Sequence, residues 1–203
     1  MTTLDVSPAF ALDERARAAL FTSARTASAF SGEPVSDAEL TDIWELARWA
    51  PTSANVQPLR ITYLRTPEAK DRLAPLMSDG NRDKTRSAQA VAILAADLDF
   101  HNLIPRTFPG RPQLKDVFAA EAVRHPAARY NATLQAGYFI LAVRAVGLAA
   151  GPMLGYDGPG IDAEFFDGTS LSTVLVVNIG HPGEKPTFDR LPRLPHDEVL
   201  TFL

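Results

Sequence analysis

Apolar positions recur at helical spacing in several stretches of the chain and form continuous or alternating runs in others. Leu12, Ala16, Ala19 and Leu20 predict a first helix over residues 12–24. A second helix is predicted to start at Ser36, because Glu39 stands three residues on and the pair can cap each other's backbone N–H groups. Its apolar stripe is Leu40, Ile43, Trp44, Ala47 and Ala50. Thr66-Pro67-Glu68 opens a third helix, with proline in the first turn, where a missing N–H costs nothing. The run Ala90-Val91-Ala92-Ile93-Leu94-Ala95-Ala96 is short, wholly apolar and followed by Asp97-Leu98-Asp99, so it predicts a buried strand. Residues 147–153 read as a strand ending in a turn, and residues 171–180 as a long β-branched strand.

Between these lie two less regular regions. Residues 100–125 contain Pro105, Pro109, Gly110 and Pro112, which predict a loop, followed by a short helix over residues 113–123. Residues 129–146 predict a long helix that is apolar almost all round, through Leu134, Tyr138, Phe139, Ile140 and Val143. Such a helix has to be buried on every side, partly by its own sheet and partly by another subunit. The tail, residues 181–203, carries four prolines and little periodicity.

Composition narrows the class. The chain has 203 residues, 46% of them hydrophobic, enough for one core and one domain over residues 1–203. A net charge of −4 with interleaved acids and bases gives no nucleic-acid surface. The absence of cysteine excludes disulfides and thiolate metal sites and fits a reducing cytoplasm. The first ten residues have no basic start or long apolar run of the kind a signal peptide needs. The most apolar stretch, residues 130–146, is interrupted by Arg144 and is too short to span a bilayer.

Self-contained catalytic motifs are missing: no HExxH, no Gly-x-Ser-x-Gly, no GxGxxG after a strand, and no metal-ligand spacing among His101, His125, His181 and His196. Chemistry in this chain therefore points to a cofactor. Five segments have the make-up of a cradle for one. Arg25, Thr26 and Ser28 close the first helix with a cation and two hydroxyls, suited to a phosphate. Pro51, Thr52, Ser53, Asn55 and Gln57 follow the second helix as a stiff polar turn. Asn81 and Lys84 stand one helical turn apart and share a face. Gly151-Pro152-Met153-Leu154-Gly155 is a glycine-rich turn where bare backbone can approach a flat ring. Arg190 and Arg193 add two cations near the C-terminus. Each segment alone also fits a solvated helix end, an ordinary turn or a charged tail.

In this order the five segments resemble the nitroreductase-like FMN-dependent oxidoreductases, over nearly the whole chain. Ala24-Arg25-Thr26, Trp49-Ala50-Pro51-Thr52-Ser53-Ala54-Asn55, Ser78-Asp79-Gly80-Asn81 with Lys84-Thr85, Leu148-Ala149-Ala150-Gly151-Pro152-Met153 with Gly155-Tyr156-Asp157, and Arg190-Leu191-Pro192-Arg193-Leu194 resemble most the branch of malonic semialdehyde reductases. The resemblance implies an α+β fold with a central, mostly antiparallel sheet flanked by helices. It also implies an intertwined homodimer with FMN at the subunit interface and NADH or NADPH as hydride donor. Arg25, Thr26, Ser28, Arg190 and Arg193 would hold one end of FMN, chiefly its phosphate. Pro51, Thr52, Ser53 and Asn55 would come from the partner subunit. Asn81 and Lys84 would meet the ribityl chain and pyrimidine edge, with Lys84 stabilising negative charge on the reduced ring. The backbone of Met153, Leu154 and Gly155 would lie beside the ring. The acceptor implied is a small aldehyde such as malonic semialdehyde, reduced to 3-hydroxypropionate, or else a nitroaromatic or quinone. A non-catalytic flavin-binding dimer is the alternative of another class. Arg106, Arg111 and Arg124 are the candidate cations for a substrate carboxylate.

Overall fold

The computed structural model describes residues 10–183 and 190–203. In chain order its elements are α1 (Glu14–Arg17), α2 (Asp37–Ala47), β1 (Leu59–Leu64), α3 (Pro67–Leu73), α4 (Asp79–Ser87), β2 (Ala90–Asp97), α5 (Ile104–Thr107), α6 (Leu114–Val117), α7 (Glu121–Ala145), β3 (Ala149–Met153), α8 (Gly158–Phe165), β4 (Leu171–Gly180) and α9 (His196–Val199). The strands form one sheet in the order β1-β2-β4-β3, and all three pairings are antiparallel. This is the α+β architecture the resemblance implied.

The central position of β2 explains its unbroken apolar run. Alternate side chains point to opposite faces of a strand. Ala92 and Leu94 enter a core with Leu40 and Ile43 of α2 and Phe139 and Val143 of α7. Val91 and Ile93 enter a second core on the other face, with Leu73, Met77 and Ile161. Helices therefore cover both faces, and β2 has no polar side to show.

The local start signals act as expected. Ser36 caps α2, accepting from the Glu39 N–H at 3.2 Å while its own N–H donates to Glu39 Oε2 at 2.7 Å. Thr66 caps α3, with Pro67 in the first turn. Gly147, at φ 90°, ends α7 and turns the chain into β3, which begins at Ala149, two residues later than predicted.

Three expectations need correction. The first helix is one α-turn, Glu14–Arg17, widening to a π-helical turn at Ala18–Thr22. The helix predicted over residues 113–123 is the single turn α6, and α7 begins at Glu121, eight residues before its predicted start. Pro126 lies inside α7 but close to its beginning and exposed, so the carbonyl it leaves unpaired at Ala122 faces water. Within one chain α7 is covered on one side only, which leaves open the cover expected from another subunit. Ala128, Ala132, Ala136, Phe139 and Val143 are buried, whereas Tyr130, Leu134 and Tyr138, at i, i+4 and i+8, are 69%, 43% and 44% exposed.

The α2 cap makes two expectations measurable. Ser36→Ala should lower unfolding free energy by about 1 kcal/mol in urea titrations. Hydrogen bonds from the Ser36 backbone N–H and then its hydroxyl hold the Glu39 carboxyl below the usual carboxylate range, with His181 adding a smaller effect in the same direction. The stabilisation is therefore present at neutral pH and lost as acid takes pH down through the native value. A Glu39→Gln variant should be less stable than the parent at pH 7 and converge with it in acid.

Candidate functional site

The free edge of β3 organises one part of the site. The segment after α1 lies against this edge through a hydrogen bond from the Ala27 N–H to the Ala150 carbonyl, at 2.9 Å. A Cβ on Gly151 would stand 2.5 Å from the Ala27 oxygen, so glycine is what lets the two backbones close. Arg25, Thr26 and Ser28 sit on this segment and, with Arg144, line a cavity of about 360 Å³.

The C-terminal cations join them. Arg190 donates to the carbonyls of Thr22 and, at 3.1 Å, Ala24. Its guanidinium is held below the ordinary arginine range, first by desolvation and then by the charges of Arg25 and Arg193. Among the described residues none of these three arginines meets a carboxylate; Arg25 and Arg193 donate only to carbonyls of their own segments. Three like charges gathered with no carboxylate partner among the described residues suit an anion. Arg190 is thus spatially part of the cluster.

The turn after β3 carries the next group. Asn81, on α4, donates its Nδ2 to the Gly155 carbonyl at 3.1 Å, and the Ser78 N–H donates to the same oxygen at 3.0 Å. A Cβ on Gly155 would lie 2.8 Å from Ser78 Oγ and 2.9 Å from Asn81 Nδ2. Lys84, one turn beyond Asn81, is half-buried and has no ion pair among the described residues. Met153 receives the Asn178 amide on its sulfur at 3.7 Å, while Leu154 projects outward, 74% exposed.

The polar turn before β1 stands elsewhere. Ala54, Asn55 and Gln57 adopt positive φ angles of 49°, 52° and 43°, a conformation costing about 1–2 kcal/mol each for residues with a Cβ. Its polar groups are engaged. The Ser53 N–H donates to Asn131 Oδ1 at 2.8 Å, and Thr52 Oγ1 accepts from the Gln57 N–H at 3.2 Å. Asn55 Nδ2 donates to the Thr107 carbonyl at 2.6 Å, and its Oδ1 accepts from Gln57 Nε2 at 2.9 Å. Just beyond, the Leu59 N–H donates to Gln135 Oε1 at 3.0 Å. Asn131 and Gln135, 2% and 0% exposed, were missed in the sequence; the available signal was two amides four residues apart in an otherwise apolar helix.

This turn feeds β1, one edge of the sheet, whereas the arginine cluster and the Asn81–Gly155 turn gather at β3, the other edge. Three strand spacings separate the edges, about 14 Å. One chain therefore brings Arg25, Thr26, Ser28, Asn81, Lys84, Met153, Leu154, Gly155, Arg190 and Arg193 to one edge region and Pro51, Thr52, Ser53 and Asn55 to the opposite one. Of the three candidate substrate cations, Arg124 is removed. It is buried and donates to the carbonyls of Leu98, Phe118 and Ala119. Arg106 and Arg111 remain exposed, without acid partners among the described residues.

The family model for the nitroreductase family matches residues 22–181, from the end of the first helical segment through β4. The chain belongs to the nitroreductase family. A Streptomyces coelicolor protein named as an NADH dehydrogenase/NAD(P)H nitroreductase is 57% identical over 188 residues, covering 92% of this chain and 93% of that one. Among solved structures, a Bacillus subtilis nitroreductase superposes with a TM-score of 0.80 at 23% identity, over 91% of this chain and 97% of that one. A nitroreductase from Exiguobacterium sibiricum, solved in complex with FMN, gives 0.80 at 20% identity, over 90% and 95%. Among the described residues no helix is long and apolar enough to cross a membrane.

The two glycines of the nitroreductase-like β3 region should respond differently to a methyl group. Gly151→Ala meets backbone and should cost about 1–3 kcal/mol in urea unfolding. Gly155→Ala meets side-chain atoms of Ser78 and Asn81 and no backbone among its nearest neighbours, so it should cost less while pushing Asn81 aside. Urea titrations, with amide NMR of the Asn81 side chain, would check both.

Proposed function

We propose that the protein is an FMN-dependent NAD(P)H oxidoreductase that works as a homodimer. The observation that carries this reading is the cluster of Arg25, Arg190 and Arg193, without a carboxylate partner among the described residues, at the β3 edge whose following turn Asn81 braces at Gly155. The donor set fits FMN: cations for its phosphate, hydroxyls and an amide for its ribityl chain, and the turn Met153-Leu154-Gly155 for its ring. Bound FMN supplies hydride transfer between a nicotinamide and an acceptor.

The residues of the chain then have distinct tasks. Arg25, Thr26, Arg190 and Arg193 anchor the phosphate, with Ser28 beside them. Asn81 braces the Gly155 carbonyl and so fixes the turn Met153-Leu154-Gly155 that lies along the ring. Lys84, with no ion pair among the described residues, holds negative charge at the pyrimidine edge. Pro51, Thr52, Ser53 and Asn55 belong to the site of a second copy, because in their own chain they stand at the far edge of the sheet. The exposed stripe Tyr130, Leu134 and Tyr138 on α7, with Trp49 76% exposed nearby in sequence to the same turn, supplies an apolar face for that second copy. The tail supports the same assembly: Val199, Leu200, Phe202 and Leu203 are exposed, and a cavity of about 550 Å³ walled by Trp44, Ile61 and Tyr63 runs along the free edge of β1.

The acceptor we favour is a small acidic aldehyde such as malonic semialdehyde, giving 3-hydroxypropionate. Arg106 and Arg111 support it. They flank a segment tied through Thr107 to Asn55, so they accompany the turn into the partner's site. The second reading, a nitroaromatic or quinone acceptor, is supported by the exposed Leu154 beside the ring position and by the relatives' names. An anaerobic titration decides. NADH or NADPH should bleach the yellow protein, and malonic semialdehyde should restore its colour. Bleaching with recovery only by nitroaromatics or quinones would favour the second reading, and a protein that takes up no FMN would contradict the whole proposal.

Two substitutions test the assigned tasks. Arg25→Ala should weaken FMN at least about tenfold while leaving riboflavin affinity near the parent's, since only the phosphate contact is lost. Lys84→Met should slow reduction by NADH in stopped flow and make the flavin potential more negative.

A further inference from the structure

Asn131 and Gln135 project from the buried side of α7, while Tyr130, Leu134 and Tyr138 project from its exposed side. The two amides reach the strained turn at its entry and exit. Asn131 Oδ1 accepts from the Ser53 N–H at 2.8 Å, and Gln135 Oε1 accepts from the Leu59 N–H at 3.0 Å. Asn131 is itself fixed, because its Nδ2 donates to the Ala127 carbonyl at 2.8 Å. Gln135 Nε2 is buried with no partner among the described residues, so this amide is retained at a desolvation cost for the sake of its oxygen. Between the two anchors lie the three left-handed residues Ala54, Asn55 and Gln57. Such backbone persists only where its surroundings over-determine it.

We infer that Asn131 and Gln135 are positioning residues for the cofactor site of the partner subunit. They preset the turn of residues 52–57 in the shape it presents across the dimer interface, and they do so from the helix whose other side forms that interface. The inference rests on the FMN-dimer reading above and adds two residues that touch neither cofactor nor substrate. Removing either anchor should release the turn and raise the FMN dissociation constant about tenfold, without altering the arginine cluster of the same chain.

The test uses FMN titration of the apo-protein, with thermal unfolding and circular dichroism to establish that each variant is folded. Asn131→Leu and Arg25→Ala are each expected to weaken FMN. Differently tagged chains carrying one substitution each are then combined into mixed dimers. If Asn131 acts across the interface, one site of the mixed dimer collects both defects and the other has none, so half the sites regain parent affinity. If Asn131 acts within its own chain, both sites carry one defect and no parent-affinity site returns, which overturns the inference. A folded Asn131→Leu homodimer that binds FMN as tightly as the parent also overturns it. Should Asn131→Leu fail to fold, Gln135→Met, close in shape, asks the same question through Leu59 with the same two outcomes. A parent protein that binds no FMN overturns both this inference and the reading beneath it; tight parent binding with unweakened variants overturns this one alone.

Discussion

A four-stranded antiparallel sheet has two edges, and in this chain the candidate cofactor groups are divided between them. The order β1-β2-β4-β3 places the turn before β1 at one edge, and the arginine cluster with the Gly155 turn at the other. Nothing local can bridge that separation. β2 and β4 fill the space between, and β2 is buried on both faces by helices. On the proposed reading a single chain holds two half-sites, and two chains related by a two-fold axis can complete two whole ones.

The rest of the architecture follows from that division. Helix α7 spans the sheet on one face and has unlike sides: small and aromatic residues toward the strands, two amides toward the strained turn, and Tyr130, Leu134 and Tyr138 outward. One rigid element thereby links the core, the turn and the surface available to a second copy. At the opposite edge, Gly151 admits the Ala27 backbone, and Gly155 accepts two hydrogen bonds through its carbonyl. Backbone groups rather than catalytic side chains line this edge, which suits a site whose chemistry comes from a cofactor.

Legibility in the sequence tracked the range of the interaction. The Ser36–Glu39 cap is local, and it was readable from four residues. The β2 run was readable because burial on both faces leaves a one-sided composition. Pro126 concealed the start of α7, since a proline reads as a break unless its exposed, near-terminal position is known. The positive φ angles of Ala54, Asn55 and Gln57 left no trace, because the groups that hold the flanking Ser53 and Leu59, Asn131 and Gln135, lie far along the chain. Arg124 and Arg106 looked alike as cations, and only burial separates the one that braces carbonyls from the one left exposed. The ordered motifs indicated which residues to examine, while the division between two edges appeared only in the fold.

The central claim is that the cofactor site exists only when two chains combine. Sedimentation of the purified protein over a dilution series, followed by flavin absorbance and by protein absorbance together, tests it most directly. The account predicts that flavin sediments with the dimer alone and that chains dissociating on dilution lose it. A monomer that keeps FMN with the affinity of the dimer would contradict it.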